Sequence, residues 1–187
     1  MKKNNIIKAA TLFFATQGYD GTTTKAISDR AGVTEPLLYY HFTGKDEIYI
    51  SILNSVFSDY FKQLDVLKKE TKTIFEKIEN LFLLHFNLAK KMPNEMALIL
   101  SPRPAKLNDP ENFYTKTTKK HKQRLKTYIG SCLKKGLDSG EFNPVQVKET
   151  TSIIIMMLNE ILQNKDYKDS QVMRDSVIDF WRRILVI

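Results

Sequence analysis

The sequence is poor in the residues that cross-link or interrupt a chain. One cysteine, Cys132, among 187 residues excludes an internal disulfide framework and fits a reducing cytoplasm. Seven glycines and six prolines sit mostly at segment edges, which leaves long stretches free to be helical. No apolar run reaches the roughly 18 residues a membrane-spanning helix needs. The opening Met1-Lys2-Lys3-Asn4-Asn5 has no apolar stretch behind it of the kind a secretion signal carries. The expectation is a cytoplasmic protein with no membrane partner. Three scattered histidines offer no zinc-type spacing. Phosphate loops, dinucleotide fingerprints, G-x-S-x-G elbows and H-E-x-x-H pairs are all missing. Ser131 and Lys134 match a serine-x-x-lysine pair, but its companion motifs are absent. No enzymatic activity, metal or cofactor is expected.

What is present suits an ordinary globular protein: 42% hydrophobic and 27% charged residues, with enough chain for one or two domains. The net charge is +8, which favours a polyanionic partner. Its location is less favourable to that idea. The first fifty residues hold six basic and five acidic groups, a net of only +1. The excess sits in Lys116, Lys119, Lys120, Lys122, Arg124, Lys126, Lys134 and Lys135, a run with no acid inside it. That run reads either as a solvated helix face or as an attractor for an anionic effector or DNA. Any case for DNA binding by the first fifty residues must rest on a motif.

Ile7, Ala10 and Phe14, with Ile6, Ala9 and Phe13 alongside, recur with helical spacing, and Gly18 ends that helix as a C′ residue that lets Tyr19 fold back. Thr22 or Thr23 caps a second helix that turns Ile27 inward and ends at Ala31-Gly32. Thr34 caps a third. Glu35 suits the positive end of its dipole, and Pro36 is tolerated because a first turn loses no intrahelical donor. Leu38 and Phe42, four apart, face a small core, which leaves Leu37, Tyr40 and His41 outward. Large aromatics on a short exposed helix fit a nucleic-acid groove. Thr43 or Gly44 caps a fourth helix that opens at Lys45 and carries Ile48, Ile52, Phe57, Tyr60, Phe61 and Leu64. Further helices are expected from Ile74 to Lys91, from Pro93 to Leu100, from Pro110 to about Leu137, from Pro144, and from about Ser170 to Leu185. The block Ile153 to Leu158 is apolar all round and should be buried. No strand is evident.

The ordered set Ala9-Ala10, Leu12-Phe13, Gly18-Tyr19, Thr22-Thr23, Ile27, Ala31-Gly32-Val33-Thr34, Leu38-Tyr39, His41-Phe42 and Lys45 resembles the TetR family of one-component transcriptional repressors. The resemblance covers about residues 6–50; beyond residue 60 only the helical layout agrees. It implies an all-α fold of about nine helices: a three-helix helix-turn-helix DNA-binding domain at 1–46 and a helical effector-binding and dimerisation domain at 47–187. It further implies that Tyr39, His41 and Lys45 meet phosphates, and that Thr23 and Thr24 clamp the opposite backbone. Lys25 would reach a guanine edge, and Tyr40 a sugar, phosphate or thymine methyl. Thr34, Glu35, Pro36 and Leu37 would complete the reading surface. Glu35 and Leu37 depart from the family pattern: Leu37 cannot donate to a phosphate but can press on a thymine methyl, and Glu35 can accept from cytosine or merely cap the helix.

The family also implies a homodimer, through about 144–163 and 170–185, with Ile154, Leu158, Ile161, Val177 and Trp181 expected in its seam. A central ligand cavity is implied as well, its candidate lining Phe61, Phe82, Phe86, Met96, Phe113, Tyr114, Tyr128 and Met156. Methionines and aromatics make a deformable apolar wall. The small-molecule effector would be apolar or amphipathic, with an anionic amphipath such as an acyl thioester or carboxylate suiting the lysine run. His85 reads as a hydrogen-bonded core or cavity residue, His121 as solvated within the lysines, and Cys132 as a small buried apolar residue. The reading is a repressor released from a palindromic operator by its ligand. The alternatives are an effector-independent DNA-binding activator and a protein-interaction module.

Overall fold

A computed structural model of the chain describes residues 2–67, 73–100, 113–167 and 169–187. Among these, nine α-helices follow one another: α1 Lys2–Gln17, α2 Thr24–Ala31, α3 Glu35–His41, α4 Lys45–Leu67, α5 Ile74–Lys91, α6 Pro93–Leu100, α7 Phe113–Asp138, α8 Val147–Gln163 and α9 Gln171–Leu185. The all-α reading holds. The expected helix start at Pro110 and the break at 101–104 lie outside the described residues. α8 begins at Val147 behind Gln146, three residues later than Pro144 suggests. The strand-like pairing present among the described residues is one isolated antiparallel bridge, Phe142 with Val186.

The chain divides into two compact units, Met1–Asp59 with Asn94–Thr117, and Tyr60–Pro93 with Thr118–Ile187. In the first, α1 packs on α2 and α3, and α2 on α3. Ile6, Ala10, Phe14, Ile27, Leu38, Phe42 and Ile48 are buried there. Gly18 takes φ 74°, a left-handed value glycine adopts without strain. The chain then turns Tyr19 back so that its ring stacks on Phe14 at 5.7 Å and meets the edge of Tyr49 at 5.4 Å.

In the second unit α5 packs on α8 and α9. Its first turn is satisfied twice over. Thr73 and Glu76 form a reciprocal cap, and the Glu141 carboxylate accepts from the N–H groups of Ile74 and Phe75 at 2.9 and 2.7 Å. Phe142, next to Glu141, lies against Gly136, where an added Cβ would overlap its ring. Asn143 donates its side-chain amide to the carbonyls of Ile184 and Val186, fastening the end of α9. Trp181 stacks on Phe82 and donates its indole N–H to the Met157 sulfur at 3.2 Å.

Two expectations are corrected here. The block Ile153 to Leu158 is not buried all round: Ile154 and Leu158 point inward, while Ile153 and Met156 are 50% and 69% exposed. Consecutive helical residues must fan around the axis, so six apolar residues in a row necessarily put some outside. The expected dimer seam is also wrong in its residues. Ile154, Leu158, Ile161, Val177 and Trp181 are all buried within the single chain, as intramolecular core.

His85 is fully enclosed in the second unit. Its Nδ1 donates to the Leu81 carbonyl at 2.7 Å, which fixes the neutral tautomer. Burial lowers its pKa to about 4, against a smaller opposing pull from the Leu81 hydrogen bond. The unfolded chain therefore binds a proton that the folded chain refuses between the ordinary histidine value and about 4. Stability should rise with pH across that window and fall as pH drops through it, by up to roughly 3 kcal/mol from this group. Urea unfolding of the wild type and His85→Leu at neutral pH and near pH 4.5 checks this: the variant should lose the extra acid sensitivity, and equal acid slopes would refute it.

Candidate nucleic-acid interface

Two short helices and the turn between them build this surface. α2 starts behind Thr23, whose hydroxyl accepts from the Ala26 N–H at 3.1 Å. It ends at Gly32, with φ 64° and ψ 41°. The N–H groups of Gly32 and Val33 donate to the carbonyls of Asp29 and Ser28, which satisfies the helix end and reverses the chain. α3 starts behind Thr34, whose hydroxyl accepts from the Leu37 N–H at 3.4 Å, and Pro36 lies in its first turn. Leu38 has no solvent exposure, so the rotation of α3 is fixed from inside.

That rotation settles what faces out. Tyr40 is 82% exposed and Tyr39 52% exposed; Leu37 and His41 are half-buried, and the Tyr40 ring meets His41 edge-on at 5.2 Å. The Tyr39 hydroxyl lies 3.2 Å from the Thr24 hydroxyl, which also donates to a Glu35 carboxylate oxygen at 3.4 Å. Thr24, Glu35 and Tyr39, from α2 and α3, thus form one surface cluster. Glu35 is engaged by this hydroxyl as well as lying at the positive end of α3. Lys25 pairs with Asp29 at 3.4 Å, an exposed contact of the kind that opens at little cost.

Lys45, read from sequence as a phosphate contact, is also engaged inside the protein. Its ammonium donates to the carbonyls of Tyr19 and Thr22 at 2.7 and 2.9 Å, and lies 4.2 Å from the Tyr19 ring centroid. Two of its three N–H donors are thereby used inside the protein, tying the first turn of α4 to the chain between α1 and α2. No sequence signal announces a lysine aimed at carbonyls more than twenty residues away. A second cation was also missed. Lys3 stands 5.1 Å over the Phe42 ring and adds to the lowering of the Glu47 pKa, which Thr43 dominates through its N–H and hydroxyl.

The residues proposed from sequence as a ligand lining are distributed over both units. Phe61, Phe82 and Phe86 are buried in the second unit, with Tyr128 half-buried there. Met96 is buried in the first unit. Met156 is on the outer face of α8, not in the interior. Phe113 and Tyr114 open α7, and their side chains lie outside what the structure describes. His121 is not a solvated member of the lysine run: it stacks on Phe61 at 5.0 Å. Its pKa is lowered first by burial, then by Arg124 and Lys120. Cys132 is buried, as expected. Among the described residues no cluster of His, Cys, Asp or Glu suits a metal ion.

The segment that carries this surface resembles a known family. The family described as "Bacterial regulatory proteins, tetR family" matches residues 6–52. The chain is 25% identical over 143 residues to the HTH-type transcriptional repressor KstR2 of Mycolicibacterium smegmatis, covering 76% of this chain and 68% of that one. A crystal structure of the transcriptional regulator FadR from Bacillus subtilis in complex with stearoyl-CoA superimposes with a TM-score of 0.73 at 21% identity, covering 94% and 95% of the two chains. AibR in complex with isovaleryl coenzyme A and operator DNA gives 0.78 at 16% identity, covering 98% of each.

The tie made by Lys45 should matter to stability before any DNA is present. Hydrogen bonds from a charged donor contribute about 1.5–3 kcal/mol each at most, and Lys45→Ala should destabilise the DNA-free protein by about 2 kcal/mol in urea unfolding. An unchanged midpoint would return Lys45 to a purely DNA-facing role.

Proposed function

This chain belongs to the TetR family of transcriptional regulators, and from that premise we propose that it acts as a homodimeric repressor released from a near-palindromic operator by a small amphipathic effector. The observation that carries the reading is the Thr24–Tyr39–Glu35 cluster. A capped helix pair holds a tyrosine hydroxyl at the surface, beside the exposed Tyr40. Two such readers, one per protomer, enter successive major grooves about 34–36 Å apart, or at a longer fixed spacing. Thr23, Thr24, Tyr39 and His41 contact backbone. Lys25, Glu35, Leu37 and Tyr40 face base edges, with Lys25 leaving Asp29 to do so. Lys45 keeps one N–H for a phosphate while its other two hold the frame.

Dimerisation would use the outer face of α8 and α9. Ile153, Met156, Val172, Phe180 and Ile184 are large apolar side chains exposed there, and contiguous exposed apolar surface of this kind marks an interaction site. Phe180 and Ile184 lie one turn apart on α9, and Ile153 and Met156 one turn apart on α8, so each helix offers a stripe. A two-fold contact between the same stripes on two copies covers both at once.

The effector is proposed to be an acyl thioester of coenzyme A. FadR and AibR, of like fold, are solved with stearoyl-CoA and isovaleryl coenzyme A. The basic face of α7, with Lys119, Lys120, Lys122 and Lys126 exposed, suits the anionic part of such a ligand. α4 is a single helix that begins at Lys45 and also carries Tyr60 and Phe61. A ligand that binds one position of α4 better than another shifts the populations of the two by that difference in affinity.

Fluorescence anisotropy of the purified protein with DNA from its own promoter, across a salt series, tests the reader. The logarithm of affinity should fall linearly with the logarithm of salt, with slope about −0.9 per phosphate neutralised. Tyr39→Phe and Tyr40→Ala should each weaken binding about tenfold; binding no tighter than to random DNA would refute the reading. For the interface, sedimentation of the Met156→Glu, Phe180→Glu double variant should give a helical monomer that no longer grips the operator. A persistent dimer would place the contact elsewhere.

A further inference from the structure

The second unit buries polar groups that its own fold leaves unsatisfied. Tyr60 is buried, and its hydroxyl has no hydrogen-bond partner among the described residues. The same is true of the Thr118 hydroxyl, on a residue only 3% exposed. An unpartnered buried hydroxyl costs the fold on the order of 1–3 kcal/mol, so two of them in one place invite an explanation. They belong to one neighbourhood. The Tyr60 ring meets His85 edge-on at 5.5 Å and Phe61 at 4.9 Å. Phe61 stacks on His121 at 5.0 Å, and Thr118 precedes His121 by three residues on the same face of α7.

The charges around this neighbourhood are arranged asymmetrically. Inside it, His85 is held neutral by burial, against a smaller opposing pull from its bond to Leu81, and burial, then Tyr128, pushes the Tyr60 phenol up so that it keeps its proton. At its edge, Arg124 lies 4.2 Å over the Phe61 ring and pairs with Asp65 at 2.8 Å, with Lys120 close enough to lower His121. Arg174, on α9, stands over Phe86. Phe86 follows His85 directly and so points about 100° away from it. The Arg174 Nε is itself buried without a partner, on the Phe86 side; beside Tyr60 and Thr118 the fold offers hydroxyl donors, with Arg124 and Lys120 at the rim. A buried carboxylate would lose its hydration with only neutral donors in return; an uncharged carbonyl oxygen matches two hydroxyls.

We propose that Tyr60 and Thr118 form the recognition site for the carbonyl oxygen of an acyl ester or thioester, whose hydrocarbon lies against Phe61 and whose anionic remainder stays at the Arg124–Lys120 rim. This rests on the effector-responsive reading above and adds to it the selection of an ester over a free acid. The fold leaves the two hydroxyls unmatched, and the ligand supplies the acceptor.

Isothermal calorimetry without DNA tests the site apart from the operator. The probes are N-acetylcysteamine thioesters from butyryl to palmitoyl, which lack the nucleotide, each beside its free carboxylate. At least one thioester should bind, its carboxylate at least about tenfold weaker, and Tyr60→Phe and Thr118→Val should each lower thioester affinity about tenfold. Because each variant removes an unpartnered hydroxyl, the thermal midpoint of the ligand-free protein should stay level or rise. The proposal is overturned if no thioester binds, if carboxylates bind equally well, if neither variant changes affinity, or if Tyr60→Phe lowers the ligand-free midpoint. Thioester binding that fails to release operator DNA would sink the effector reading while leaving this site intact.

Discussion

Seven residues cannot hold a helix in water by themselves, because the cost of nucleation outweighs so few hydrogen bonds, and the reader depends on that constraint being met from outside. α3 spans Glu35–His41 and α2 only eight residues. Each is stabilised at its start by a threonine cap and from below by a completely buried side chain, Leu38 in α3 and Ile27 in α2. The left-handed Gly32 sets the angle between them. Lys45 then fixes the chain between α1 and α2 to the first turn of α4 through two carbonyls. Tyr39, Tyr40 and Thr24 face outward because every inward position is already filled.

How much of this was legible follows from what each signal encodes. The reader was legible almost residue by residue, since caps, a positive-φ glycine and i, i+4 apolar pairs are local, and local signals survive in sequence. The bounds of α5 and α6 were legible for the same reason. The proposed dimer face was not. Periodicity shows that α8 and α9 are apolar, but not whether an apolar side chain meets its own chain or another copy. The residues with the strongest pattern, Ile154, Leu158 and Trp181, went to the protomer's own core. His121 was misread because the lysines around it dominate local composition, while its helical phase, shared with Thr118 and Tyr128, puts it on the inner side. The internal hydrogen bonds of Lys45 were not legible because a family motif gives a residue's position and not the atoms it spends elsewhere.

Charge illustrates the same division between composition and geometry. A net of +8 favours a polyanion, yet the reader itself is nearly neutral, and its Lys25 and Lys45 are both engaged within the protein. Affinity for DNA therefore cannot come from a diffuse basic surface alone. In the proposed reading it draws on hydroxyl and amide contacts from capped helix ends, which are directional and confer register. In the proposed function the lysines of α7 act on an anion of another kind, and at the edge of the Tyr60 neighbourhood Lys120 stands where an anionic ligand end would stay hydrated.

A core that tolerates unmatched hydroxyls is less stable than one lined with phenylalanine and valine, and selection for stability alone would remove them. Their presence makes sense where the ligand-free state is meant to be the less satisfied one. A molecule that brings an acceptor to Tyr60 and Thr118 gains the full difference between an unmatched and a matched buried donor, which exceeds what the same bond contributes at a surface. That difference is available only in the arrangement where ligand and hydroxyl meet, so it counts as differential affinity between states and not as uniform binding. An apolar pocket could hold an acyl chain equally tightly in two positions of α4 and shift nothing. Direction comes from the polar contact, and specificity for an uncharged carbonyl follows from the same two hydroxyls.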